Sequence, residues 1–117
     1  MLWTLSQVAL GGAIGSALRY LTVAAFGAPW AVLGVNVIGS FAMGAGFVLL
    51  QSRGALSPLL LTGVLGGFTT FSAFSLDALK LWQAGHVAQS ALYVALSVGL
   101  SLFAVALGAT LAKGALG

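Results

Sequence analysis

Gly63-Val64-Leu65-Gly66-Gly67-Phe68-Thr69-Thr70-Phe71-Ser72-Ala73-Phe74-Ser75 is the stretch whose reading decides the fold. It lies inside an apolar run from Pro58 to Trp82, long enough to cross a bilayer. Glycine weakens a helix, and hydroxyl side chains compete for its backbone hydrogen bonds. Two readings follow. The small residues allow close packing of one membrane helix on another. Alternatively, the helix is broken near mid-membrane, around Gly66-Gly67-Phe68-Thr69-Thr70. In lipid such a break is tolerated only where its freed carbonyls and amides face protein, water or an ion.

Three further apolar runs flank this one, and the sequence predicts an all-α membrane protein with four spans, at about 3–26, 30–50, 58–82 and 86–113. Gly27-Ala28-Pro29 closes the first span, with Pro29 suited to the first turn of the next helix. Gln51-Ser52-Arg53-Gly54 is a short polar turn, and Ser57-Pro58 reads as an N-cap followed by proline at the first helical position. Gly85 ends the third span. Every connection is short, so sequence neighbours are expected to run antiparallel. The first run lacks a positive segment before it and outlasts a signal-peptide core, so it is expected to be a retained span.

Composition agrees. Of the 117 residues, 61% are hydrophobic and 4% charged, with a mean hydropathy of +1.16. A soluble domain carries about 25% charge. The whole chain, 1–117, reads as one domain. A single copy makes only a thin bundle, which favours self-association. The cations Arg19, Arg53, Lys80 and Lys113 are too few and scattered for a nucleic-acid surface. The absence of cysteine excludes disulfide and thiol chemistry. One histidine, His86, and one acid, Asp77, make neither a standard metal site nor a hydrolytic triad, so no enzymatic activity is expected. Asp77 and Lys80 are expected to pair near the end of the third helix.

With the N-terminus inside, Arg53 and Lys113 fall on the inner side and Arg19 and Lys80 toward the outer. Two cations against two give no strong positive-inside preference. Such a chain can insert both ways, and oppositely oriented copies can pair.

Polar residues within the spans each carry two readings. Arg19 follows Gly11 and Gly15 at four-residue steps, sharing one helix face; it is either an arginine snorkelling beside Tyr20 or a fixed charge drawing anions into a vestibule. Asn36, with Ser40 one turn on, is either an interhelical hydrogen bond or an amide donor on an anion path. Tyr93, Ser97 and Ser101 form one polar stripe on the fourth helix, serving packing or anion donation. Phe68, Phe71 and Phe74 recur at three-residue spacing. Such a stripe is usually core, although electropositive ring edges also suit a small hard anion.

Three ordered motifs add a resemblance: Gly11-Gly12-Ala13-Ile14-Gly15-Ser16-Ala17-Leu18-Arg19-Tyr20, Gly34-Val35-Asn36-Val37-Ile38-Gly39-Ser40-Phe41, and the Gly63–Ser75 stretch above, the most specific of them. Over roughly Gly11 to Ser101 the chain resembles bacterial members of the small four-helix fluoride channel family, the passive fluoride exporters. Ala73, where many relatives have threonine or serine, is a mild variation expected to face away from the pore.

The resemblance implies a fluoride-selective channel in the bacterial plasma (inner) membrane, built as an antiparallel dual-topology homodimer with two pathways. It implies a structural sodium ion on the dimer axis, held by the backbone carbonyls of Gly66 and Thr69. Phe71 and Phe74 would form an aromatic box, Asn36 the amide at the pore entrance to that box, Tyr93, Ser97 and Ser101 a polar track, and Arg19 a vestibule residue. The partners implied are fluoride, lipid and a second copy. Fluoride is strongly hydrated, so a pore must replace its water with short hydrogen bonds that hold it firmly enough to enter and weakly enough to leave. No energy-coupling motif is visible, so flux should follow the gradient. A small multidrug-type exporter would need an intramembrane acid before Asp77, which is lacking. A non-transporting accessory protein would not explain three sets of anion donors.

Overall fold

A computed structural model describes residues 1–51 and 54–117. Four stretches are long and apolar enough to cross a membrane: Leu2–Phe26, Trp30–Leu49, Pro58–Gln83 and Val87–Leu116. The first two are the helices α1, Leu2–Phe26, and α2, Trp30–Leu49. The third is discontinuous. It starts as a π-helix, Pro58–Leu65, continues as one α-turn, α3, Gly66–Phe68, and resumes as α4, Phe71–Gln83. The fourth is α5, Val87–Leu116. At about 1.5 Å per residue, the 20 residues of α2 already reach about 30 Å, the thickness of a hydrocarbon core.

Gly27 and Gly85 adopt φ of 86° and 87°, a left-handed conformation that glycine takes without a Cβ clash, and each terminates its helix. The Ser57 expectation holds in part: it occupies the N-cap position before Pro58, but its side chain makes no capping hydrogen bond. Ser52 and Arg53 of the expected polar turn lie outside the described residues, so the Arg53 contribution to the charge count does too.

Glycine sets how the helices meet. α1 lies against the first half of the third span. A Cβ on Gly11 would sit 2.8 Å from Gly63 Cα, and one on Gly15 would sit 2.7 Å from the Phe68 backbone nitrogen. These distances are too short for any side chain, so the backbones touch directly. α2 and α5 use a second seam: a Cβ on Gly108 would meet the Ala45 nitrogen at 3.1 Å. In lipid there is little hydrophobic drive between helices, and such close backbone contact supplies the dispersion energy instead. α4 packs on α5, where Ser90 Oγ donates to the Ala78 carbonyl at 2.8 Å.

The buried core is small. Val32, Phe74 and Tyr93 form its centre, with Ala73 and Leu81 packed beside them. Trp30 meets Tyr93 edge-on at 5.7 Å between ring centroids. Most large apolar side chains, including Ile38, Phe71, Leu102 and Phe103, remain exposed. A single copy in water would be untenable with that surface. The protein is a multi-pass integral membrane protein.

Candidate functional site

The break in the third span is a short extended link. Thr69 (φ −82°, ψ 155°) and Thr70 (φ −153°, ψ 119°) leave the helical region, so the backbone ladder stops after α3 and restarts at α4. Each freed group needs a partner in the absence of water. Thr69 supplies its own cap: its amide and its hydroxyl both donate to the Leu65 carbonyl at 3.0 Å. Thr70 caps α4, its Oγ1 accepting from the Ala73 amide at 3.1 Å.

Asn36 on α2 completes this arrangement. Its Oδ1 accepts from the Thr70 amide at 2.7 Å, and its Nδ2 donates to the Thr70 carbonyl at 2.9 Å. One side-chain amide thus satisfies both polar groups of a single residue in the break. The orientation of the amide follows from this pairing, because only oxygen can accept from the Thr70 N–H. Nδ2 keeps a second hydrogen. The structure therefore places Asn36 in the interhelical hydrogen bond that was one of its two sequence readings.

Arg19 reaches the break from the opposite side. Its Nε donates to the Gly67 carbonyl at 3.2 Å. That oxygen belongs to the C-terminal turn of the first half-helix, where carbonyls lack intrahelical partners and the dipole is negative. The Gly11–Gly15–Arg19 face thus points at the third span throughout. Arg19 also lines a pocket of about 170 Å³ with Tyr20, Ala28, Ala73 and Asp77. Lysine at position 19 would keep the charge and lose the planar fork that reaches Gly67. Arg19→Lys is expected to lower stability by about 1–3 kcal/mol, the range for a charged hydrogen bond whose acceptor is left unpaired. A thermal melt of the lysine variant that matches wild type, with Arg19→Gln lower, would show that charge alone matters there.

Between α2, α4, α5 and the break lies a cavity of about 290 Å³, lined by Asn36, Ser40, Thr69, Thr70, Phe71, Phe74, Ser97 and Ser101, with Val98 and Leu102. Five of the six residues assigned to a pathway from the sequence meet here: Asn36, Phe71, Phe74, Ser97 and Ser101. Tyr93 does not line the cavity. It is fully buried behind Phe74, with ring centroids 5.5 Å apart. The two phenylalanines differ. Phe74 is 8% exposed and belongs to the core, whereas Phe71 is 77% exposed at the cavity mouth, 5.4 Å away between centroids. Ala73 lines the pocket beside Arg19 instead of the cavity.

Three buried side-chain oxygens lack a hydrogen-bond partner among the described residues: the Ser97 Oγ, the Tyr93 hydroxyl and one Asp77 oxygen, Oδ2. Asp77 and Lys80 do line one pocket together, with Ala28, Pro29 and Leu81. Asp77 is buried, however, at 8% exposure, and so lies deeper than an ion pair at a helix end would. Its neighbours were out of view from sequence because its burial depends on how α4 packs against α5.

The sodium ion expected on the Gly66 and Thr69 carbonyls is corrected. Among the described residues, no group of three or more His, Cys, Asp or Glu side chains could hold a metal ion. The break itself offers a physical reason: the carbonyls beside the expected ligands, those of Leu65, Gly67 and Thr70, are occupied by Thr69, Arg19 and Asn36. The chain thus satisfies much of its own interruption with side chains.

Gln7 was missed in the sequence. It is buried, and its Nε2 donates to the Ala55 carbonyl at 2.9 Å, tying α1 to the segment before the third span. A lone amide in an apolar run was the available signal, the same one that singled out Asn36.

Known proteins place this geometry in context. A family model described as "CrcB-like protein, Camphor Resistance (CrcB)" matches residues 6–109. A protein of Ruegeria sp. (strain TM1040) called "Fluoride-specific ion channel FluC" is 53% identical, over 99% of this chain and 99% of its own length. Proteins bearing the same name from Paracoccus denitrificans (strain Pd 1222) and Roseobacter denitrificans (strain ATCC 33942 / OCh 114) are 52% and 50% identical, over 95% of this chain in each case. With a match across nearly the whole chain and a broken third span clamped by residues of all three motifs, this protein belongs to the CrcB-like family.

Proposed function

We propose that this protein is a fluoride-selective channel that lets fluoride leave the cytoplasm passively across the bacterial plasma membrane, relieving its toxicity. The observation that carries this reading is the cavity at the break. An amide, threonine and serine hydroxyls and two aromatic rings converge there without a cationic side chain in the lining. Such donors can replace hydration water, and no lysine or arginine is present in the lining to trap the anion. The likeness to proteins named fluoride-specific ion channels supports the ion's identity.

The pathway is assigned to Asn36, Phe71, Phe74, Tyr93, Ser97 and Ser101, with Arg19 toward a vestibule. Tyr93 acts from behind Phe74. The working unit is an antiparallel homodimer of dual topology. Supporting it are the 77% exposure of Phe71 at the cavity mouth and the thinness of one copy, whose extents are 48 × 33 × 23 Å. A second copy covering that mouth would bring the ring into a closed pathway.

The test is fluoride efflux from liposomes containing only the purified protein, followed with an ion-selective electrode and normalised to folded protein. Wild type should release fluoride without any partner. Phe71→Ile should cut normalised flux at least about tenfold, as about 1.4 kcal/mol of lost ring-edge stabilisation would. Because Phe71 is exposed within its own chain, the stability of that chain should change little. Phe74→Ile should cut flux and also destabilise by about 1–3 kcal/mol, since Phe74 packs in the core. No efflux from the wild-type protein would overturn the channel reading. Wild-type flux in both variants would remove the rings from the pathway.

A further inference from the structure

α2 meets the broken span at two neighbouring positions. Asn36 grips the Thr70 backbone. Gly39, three residues on and so on the same helix face, is buried against Thr69. A Cβ on Gly39 would overlap the Thr69 methyl, Cγ2, and would lie 3.3 Å from Phe68 Cδ2 and 3.7 Å from Thr69 Cβ. The seam glycines Gly11, Gly15 and Gly108 face backbone, whereas Gly39 leaves a notch that a side chain fills. Thr69 cannot freely turn its methyl aside. Threonine is stiff about χ1, with both branches on Cβ. Its other branch, Oγ1, donates to the Leu65 carbonyl at 3.0 Å. Rotation that frees the methyl breaks that bond. Hydroxyl and notch together hold Thr69 in one rotamer, at the residue that ends the first half of the span.

Resting on the channel reading above, we infer that Gly39 is a positioning residue for the cavity: its notch on α2 seats the Thr69 methyl and, with the Asn36 clamp, fixes the Thr69–Thr70 link between the two halves of the third span. Thr69, Thr70 and Phe71 line the cavity from the broken span, and Asn36 and Ser40 line it from α2 on either side of Gly39. A displaced link therefore changes the spacing between those two walls. Gly39 has no side chain to offer the cavity and acts through Thr69, by shape. A glycine in an apolar helix gives no sign of this in the sequence, because its meaning lies in the side chain that packing brings against it.

The test is a rescue. Gly39→Ala adds the colliding carbon, and Thr69→Ser removes the methyl it would meet while keeping the hydroxyl on Leu65. Alanine is the better helix former, so any loss from Gly39→Ala runs against helix propensity. Fluoride efflux per folded protein should fall about tenfold or more in Gly39→Ala, as a misplaced wall would cause. The melting temperature should fall by about 5 °C. Thr69→Ser alone should stay near wild type in both. Gly39→Ala combined with Thr69→Ser should recover flux and melting temperature, whereas Gly39→Ala combined with Thr69→Val, which keeps the methyl, should not. If Gly39→Ala yields no folded protein, folded protein from the serine double variant supports the notch and its absence overturns it. Wild-type flux in Gly39→Ala overturns the positioning role, as does a loss that Thr69→Ser leaves unrestored. Either result leaves the channel reading standing, provided unmodified protein conducts. Absence of efflux from unmodified protein would instead overturn the channel reading, and the melting temperatures would then decide the notch.

Discussion

Asn36→Asp is expected to remove nearly all fluoride flux, by about 100-fold or more, in a protein that still folds. The substitution is almost isosteric, so packing of α2 against the third span is preserved. Oδ1 can still accept from the Thr70 amide. The other side of the clamp reverses: where Nδ2 donated to the Thr70 carbonyl at 2.9 Å, an aspartate places oxygen against oxygen. Losing that donor leaves the Thr70 carbonyl unpaired, at about 1–3 kcal/mol. The new carboxylate also adds a negative charge to the lining of an anion cavity in a weakly screened setting. The two effects act together on flux, the first by misaligning the start of α4 and the second by repelling the ion. Acidification supplies an internal check. Once protonated, the carboxyl group introduced by Asn36→Asp regains a donor for the Thr70 carbonyl, so residual flux should rise as pH falls, after subtraction of leakage from protein-free liposomes. Near-normal flux of the aspartate variant at neutral pH would sink both the clamp and the donor roles.

Gly15→Leu is expected to abolish the folded state. Even the first added carbon, Cβ, would lie 2.7 Å from the Phe68 backbone nitrogen, and the obstacle is backbone, which cannot rotate aside. α1 would have to withdraw from the third span, taking with it the Arg19 bond to Gly67 and the Gln7 bond to Ala55. Overpacking of this kind costs about 1–3 kcal/mol where a side chain can yield, and more where only backbone can. Gly108→Leu should behave alike, for the same reason, on the α2–α5 seam. Gly99→Ala is the control: nothing lies within 4 Å of its added carbon, and alanine is the better helix former by about 1 kcal/mol. The measurement is the fraction of monodisperse protein after extraction, with its melting temperature. Gly15→Leu melting together with wild type would mean that the seam is not a packing constraint.

How far the fold is readable in one dimension depends on the interaction involved. Span number, span ends and the α class follow from apolar run length, from Gly27 and Gly85, and from the rule that lipid admits only internally bonded backbone. These are local or solvent-driven effects, so the order of residues suffices. The break at Thr69–Thr70 is also local, since two glycines and a run of hydroxyls weaken the helix there. Resemblance in three motifs correctly named the family from the same letters.

What satisfies the break was not legible. Asn36 is 34 positions from Thr70, and Arg19 is 48 positions from Gly67. Which polar side chain meets which carbonyl depends on how α1 and α2 are rotated about the third span, and glycine seams of backbone contact set that rotation. The sequence reading offered an ion for the Gly66 and Thr69 carbonyls, and did not foresee that side chains occupy the neighbouring carbonyls of Leu65, Gly67 and Thr70. It also treated Phe71 and Phe74 as equals, although packing buries one and leaves the other at the cavity mouth. The sequence by itself determined that this chain lives in a membrane, crosses it four times and interrupts its third crossing, because desolvation of the backbone acts on each segment separately. Only the tertiary structure decided that Arg19 and Asn36 clamp that interruption and that the start of α4 faces a cavity, because those contacts join residues that only close helix packing brings within hydrogen-bond reach.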